Sequence, residues 1–140
     1  MRNDQKALAE IYSRIITESS GRKVIKGDVD LKNLYLTELP EWLIDVEVEG
    51  NFYCHRNRLT SLQGGPKTVG GSFSCDFNRL TSLQGAPETV GDTFSCSSNK
   101  LTTLQGAPKI VEGYFVCRDN AVEFEEEDVE AVCDVEYISV

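Results

Sequence analysis

Apolar residues return along this chain with a step of 21 positions. Phe52, Phe73, Phe94 and Phe115 form one column, and Cys54, Cys75, Cys96 and Cys117 a second. Leu59, Leu80 and Leu101 keep the step, as do Leu62, Leu83 and Leu104. One polar column runs with them: Asn57, Asn78, Asn99 and Asn120. The block reads F-x-C-x-x-N-x-L-x-x-L-x-G-x-P. F-x-C alternates with period two, which predicts a short strand with Phe and Cys pointing the same way. The chain then bends through C-x-x-N-x-L-x-x-L. Gly64 and Pro66, Gly85 and Pro87, and Gly106 and Pro108 mark a further turn. Val69, Val90 and Val111 bring it back toward the next strand. One such coil cannot bury its apolar set alone. Stacked coils can, with parallel strands about 4.8 Å apart.

The columns extend beyond the clean blocks. Val29, Leu31, Leu36 and Leu39 fit them with a step of 23, so GDVDLKNLYLTELPEWLIDVEVEG reads as a longer first coil. Leu34 stands there in the Asn column. Downstream, Cys117 and Asn120 open a coil whose leucines are replaced by Val122 and Phe124, and the alternating CDVEYISV predicts a last strand. Solenoid ends need caps. Residues 3–19 predict a capping helix, with Leu8, Ile11, Tyr12, Ile15 and Ile16 at helical spacing, Asn3 or Asp4 as N-cap and Gly21 as stop. Residues 125–133, EEEDVEAVC, predict a short helix with its acidic end at the favoured N-terminus. The expectation is one domain over 1–140: a helical cap (1–21), repeat coils (22–116), and a C-terminal coil with an acidic cap (117–140).

F-x-C-x-x-N-x-L-x-x-L resembles the L-x-L-x-x-N-x-L-x-x-L signature of leucine-rich repeats, and the 21-residue step resembles their short bacterial type. The departures are Phe and Cys for two strand leucines, and G-A-P where bacterial effectors carry Leu-Pro. LTSLQGAPETVGDTFSCSSNKLTTLQGAPKIV also resembles small repeat proteins encoded by tailed phages. The resemblance implies a mostly β leucine-rich-repeat solenoid that binds macromolecules on its concave strand face. It also implies a phage-encoded inhibitor or modulator of a host defence protein, acting in the host cytoplasm.

Composition narrows this picture. The chain is 40% apolar and 26% charged, ordinary for a globular protein. No apolar run approaches the roughly 20 residues that span a bilayer, and the first residues show no secretory signal. The expectation is a cytoplasmic protein with free thiols and no membrane contact. The net charge of −9 is uneven. Residues 1–53 carry 7 basic and 10 acidic groups (net −3), residues 54–116 carry 6 and 4 (net +2), and residues 117–140 carry 1 and 9 (net −8). Bulk charge therefore argues against nucleic acid as a partner.

The cysteine column is the first candidate for chemistry. Zinc takes four ligands around one point at about 2.3 Å. Four cysteines on strands about 4.8 Å apart would spread over roughly 14 Å. Neighbouring disulfides are disfavoured because parallel Cα–Cβ vectors hold the Cβ atoms beyond the usual separation of about 3.8 Å. A core wall is the expected role, since Cys packs as a small hydrophobe. The exposure of Cys133, outside the column, is left open. The Asn column is expected to bond the backbone of neighbouring coils. His55 is the single histidine, and alternation turns it away from Cys54, which argues against a nucleophile pair. No Ser/His/Asp set, phosphate loop or paired carboxylates stand out. The expectation is no enzyme, no cofactor and no metal.

Two surfaces remain. The acidic run Glu123–Glu130 reads as a solvated cap face or a partner-facing patch, with mimicry of nucleic acid a minor option. The strand face that alternates away from the core carries Asn51, Tyr53 and His55, then Ser72, Ser74 and Asp76, then Thr93, Ser95 and Ser97, then Tyr114, Val116 and Arg118. These do not repeat, although the core does. Tyr and Arg are types enriched at binding hot spots. Phe77 joins them, where other coils have Arg56, Ser98 and Asp119. The predicted partner site is Tyr53, His55, Ser74, Asp76, Phe77, Ser95, Tyr114, Val116 and Arg118, for a protein partner of a monomer. A bacterial effector or adaptor module and a structural or assembly protein are the alternatives.

Overall fold

The computed structural model describes residues 3–140, which form a mostly β, parallel-strand solenoid with a small helix at each end. Each coil contributes two strands rather than one. The first ladder holds the Phe column: β3 (Val29–Asp30), β5 (Phe52–Tyr53), β7 (Phe73–Ser74) and β9 (Phe94–Ser95) pair in parallel, Phe opposite Phe. The second holds the Val column: β2 (Lys23–Ile25), β4 (Val46–Val48), β6 (Thr68–Val69) and β8 (Thr89–Val90). The residues read as a return segment are thus a ladder of their own. In the next coil a single strand, β10 (Ile110–Val116), runs through both ladders. β11 (Asp134–Ser139) pairs with it in parallel and makes the sixth coil.

The core is the stack of inward columns. Phe52, Phe73, Phe94 and Phe115 are buried, with successive ring centroids 5.1, 5.4 and 5.2 Å apart. Cys54, Cys75, Cys96 and Cys117 are buried beside them, as are the two leucine columns. Each stacked aromatic pair adds about 0.5–1.5 kcal/mol beyond its area. Val122 departs from the expected pattern. It is exposed, while Phe124 is buried, because the chain here leaves the coil path to enter the cap.

The turn after the leucines requires glycine. Gly85 has φ +92°, and a Cβ there would lie 2.3 Å from the Gln63 backbone N of the preceding coil. At Gly64 the longer first coil leaves more room, and the nearest atom would be 3.2 Å away. Gly85→Ala is expected to cost about 2–4 kcal/mol in urea denaturation, and Gly64→Ala about half as much.

The N-terminal cap is shorter than the periodicity predicts. Helix α1 runs Asn3–Ser13, and Ile16–Thr17 forms strand β1, antiparallel to β2. The β-branched run Ile15-Ile16-Thr17 favours strand, and β2 offers it backbone partners. Gly21 therefore closes a hairpin turn, its N–H bonded to Glu18 O, and does not stop the helix. Asp4 lies in the first helical turn; the cap position itself lies outside the described residues. Ile11 is buried and Tyr12 meets Trp42 edge-on at 5.3 Å. The Arg14 guanidinium donates to Lys26 O and Asp28 O, closing the end of the first coil. At the other end, helix α2 (Glu126–Glu130) has a Glu125/Asp128 capping box, and Phe124, Val129 and Cys133 are buried beneath it. No helix among the described residues is long and apolar enough to cross a membrane.

Candidate binding surface

The cysteine column lines the core, the position expected of it. All five cysteines are free and buried, Cys133 included. Burial pushes the thiols of Cys54, Cys75 and Cys96 far above their ordinary range. Burial, helped by Asp128 and Asp134 respectively, lifts Cys117 and Cys133 to about 11. Such groups are neutral at pH 7, whereas the nucleophile and metal ligand is the thiolate. Cys75 Sγ lies 3.3 Å from Ser95 O and Cys96 Sγ 3.5 Å from Val116 O, so two of them turn to the next coil's backbone.

The Asn side chains tie each coil to its neighbours. Asn78 Nδ2 donates to Cys54 O and Cys75 O at 3.0 Å, and its Oδ1 accepts from Leu59 N at 2.9 Å. Asn57 and Asn99 make the equivalent bonds, and Asn120 makes longer ones of 3.2–3.3 Å. Because each Asn reaches the preceding coil, the first coil needs none, and Leu34 stands there.

On the outward face, much of the variety is also used between coils. Asp28 Oδ1 accepts from Asn51 N, Asn51 Oδ1 from Ser72 N, Ser72 Oγ from Thr93 N and Thr93 Oγ1 from Tyr114 N. At the other end of the strand, Asp76 Oδ1 accepts from Ser97 N and Ser95 Oγ, and Ser97 Oγ accepts from Arg118 N. Asp, Asn, Ser and Thr interchange here because each offers an oxygen one coil away from an N–H. The positions that accept in this way, Asp28, Asn51, Ser72, Thr93, Asp76 and Ser97, carry short oxygen-bearing side chains. Part of the variety on this face therefore serves the stacking of the coils. Among the predicted site residues, Asp76 and Ser95 are engaged in this way. His55 sits in the acceptor column, but its buried Nδ1 has no partner, so one step is missing there.

What the scaffold does not use is smaller. Tyr53, Ser74 and Val116 are half-buried, and Tyr53 meets His55 edge-on at 5.9 Å. Tyr114 is exposed and stacks on Tyr137 at 5.0 Å, a pair the sequence reading did not assemble because Tyr137 belongs to the last strand. Arg118 Nε donates to Ser139 Oγ. Phe77 is 51% exposed, with the Arg56 guanidinium 4.6 Å over its ring. Three coils separate Tyr53 from Tyr114, so these groups form a broad face rather than one cluster. A surface depression of about 860 Å³ lies elsewhere, between the leucine turns and the Val ladder, near Leu39, Ile44 and Gly64.

Phe77 carries a conformational cost. Its φ is +57°, as for Arg56, Ser98 and Asp119 in the same column, and a bulky side chain is disfavoured there. Asn33 fills this column in the first coil with the same φ. Phe77→Asn is therefore expected to raise stability by about 0.5–1 kcal/mol in thermal melts, because Asn tolerates this conformation. A loss above that size would mean that Phe77 serves the fold. No protein-family model, no curated protein and no solved structure matches this chain.

Proposed function

We propose that the chain is a non-catalytic protein-binding module that works through the outward face of the Phe ladder. The observation that carries this reading is the set of aromatic groups left over once the scaffold is satisfied. Tyr53, Phe77 and Tyr114 are neither buried in the core nor needed for coil-to-coil hydrogen bonds. Phe77 is even held in a conformation that costs stability. Such residues are favoured anchors in interfaces. Neutral, buried thiols support a non-enzymatic reading. The resemblance of the repeat wording to small phage repeat proteins supports a role as inhibitor or modulator of a host protein. Affinity capture from host lysate with wild type and with a Tyr53→Ala/Phe77→Asn/Tyr114→Ala variant tests it. A single protein held by wild type and lost by the variant is expected. Equal capture by both would refute the assignment of this face.

One observation favours a second reading, assembly of copies. Among the described residues β11 pairs only with β10, so its outer edge, six residues long, has no strand partner there. Such an edge can add another strand. Size-exclusion chromatography separates the readings, since a stable oligomer is expected only for assembly.

A further inference from the structure

We infer that the edge where the chain leaves the Phe ladder binds a short acidic segment of the protein partner. This rests on the protein-binding reading above and names the chemistry of what is bound. The residue after the Asn column is Tyr35, Arg58, Arg79, Lys100 and Ala121 in successive coils. The backbone N–H groups of Arg58, Arg79 and Lys100 donate to Leu36 O, Leu59 O and Leu80 O, each at 2.8 Å. Three cations thus stand on three consecutive coils, about 4.8 Å apart at the backbone. All three are exposed, and Arg56 adds a fourth on the other side of the Asn column. Among the described residues none of the four is in an ion pair, whereas Arg14, Arg22 and Lys32 are.

Nothing in the fold demands a cation in this column. Tyr35 and Ala121 occupy it at either end. Like charges on neighbouring coils repel, so the row is a cost that an anionic ligand would remove. Asp76 in the same coil as Arg79 is already engaged by Ser95 and Ser97. The two arginines nearest the N-terminal end are also preorganised. The Arg58 guanidinium lies 5.1 Å over the Tyr35 ring, and that of Arg56 lies 4.6 Å over Phe77. A ring beneath the guanidinium fixes its plane and leaves its N–H edge free for a carboxylate fork. The same rings offer apolar contact beside the charges.

The extent of the row favours a short peptide over a polynucleotide. Its three coils span about 10 Å, the length of three or four extended residues. Beyond Lys100 the surface turns acidic, with Asp119, Glu123 and a C-terminal region of net charge −8. A long polyanion would run onto that region, while a motif with two or three carboxylates would not.

Selection of a random peptide library, roughly 12 residues in length, on the full chain tests this. Enriched peptides are then labelled with fluorescein and titrated by anisotropy. Two or three Asp or Glu beside an aromatic or aliphatic residue are expected. Arg58→Gln/Arg79→Gln/Lys100→Gln is expected to weaken binding at least about tenfold, and salt raised from about 50 to about 200 mM to weaken it several-fold. The triple variant should melt within a few degrees of wild type, since no ion pair is lost and only the exposed Arg58–Tyr35 ring contact goes. Neutral peptides that depend instead on Tyr53 and Tyr114 would overturn the acidic-segment inference and leave the protein-binding reading standing. No enrichment at all would count against both. Preferential binding of a single-stranded oligonucleotide, or self-association lost in the triple variant, would assign the row to nucleic acid or to a second copy, and would overturn the inference as well.

Discussion

Stability is expected to collapse between pH 9 and pH 10.5. An unfolded thiol loses its proton near the ordinary value of 9.0, while folded Cys117 and Cys133 hold theirs to about 11 and the three central thiols beyond that. In that window the unfolded chain binds fewer protons than the folded one. Stability is therefore fully present below pH 9 and falls as pH rises. Each buried thiol contributes about 1.4 kcal/mol per pH unit, so five contribute about 7. A typical domain has only about 5–15 kcal/mol in total. Urea denaturation at a series of pH values, with a non-thiol reductant, reads the slope directly. Cys75→Ala is expected to lower stability at pH 7 by leaving a cavity, and to reduce the alkaline slope by about 1.4 kcal/mol per pH unit. A flat profile to pH 10.5 would mean that the thiols are open to water and that the cysteine wall is wrong.

Asn78→Asp is expected to be the most damaging of the near-isosteric changes. Asn78 is buried, and its Nδ2 faces the carbonyl oxygens of Cys54 and Cys75, both at 3.0 Å. A carboxylate would set a negative oxygen against both. It would also lose its water. About 3–5 kcal/mol is expected at pH 7. Asn78→Ala leaves the same carbonyls unpaired without the charge, and should cost about 2–4 kcal/mol. The order reveals the mechanism. On acidification the Asp variant should recover part of the loss, because a protonated carboxyl can donate to one carbonyl. The Ala variant should show no such recovery. Equal losses at pH 7 and pH 4 for both variants would mean that the Asn amide is not donating to those carbonyls.

The coil period, the inward Phe, Cys and Leu columns and the existence of both caps were legible in the sequence. They follow from the same apolar residues returning at one step. The second ladder was harder to see, because each coil gives it only one inward residue, such as Val69 or Val90, beside a polar Thr. Helical spacing over Leu8 to Ile16 overran the helix, since the strand partner β2 lies beyond the window that periodicity reads. On the outward face, the residues do not repeat, and nine of them, Asp76 among them, read as a partner site. At Asn51, Ser72, Thr93 and Asp76 the variety reflects the tolerance of a hydrogen-bond acceptor position. The stacking of Tyr114 on Tyr137, and of Arg56 and Arg58 on aromatic rings, depends on neighbours in other coils. No single block contains both members of those pairs.

The central claim is that a protein partner covers the outward face of the Phe ladder. Hydroxyl-radical footprinting of the captured complex tests it most directly, because the exposed aromatic residues report their own accessibility. Tyr53, Phe77 and Tyr114 are expected to become protected in the complex. Tyr12 and Ile44, exposed elsewhere on the molecule, should react as they do in the free chain. Protection of Tyr12 or Ile44, with Phe77 and Tyr114 unchanged, would contradict the account.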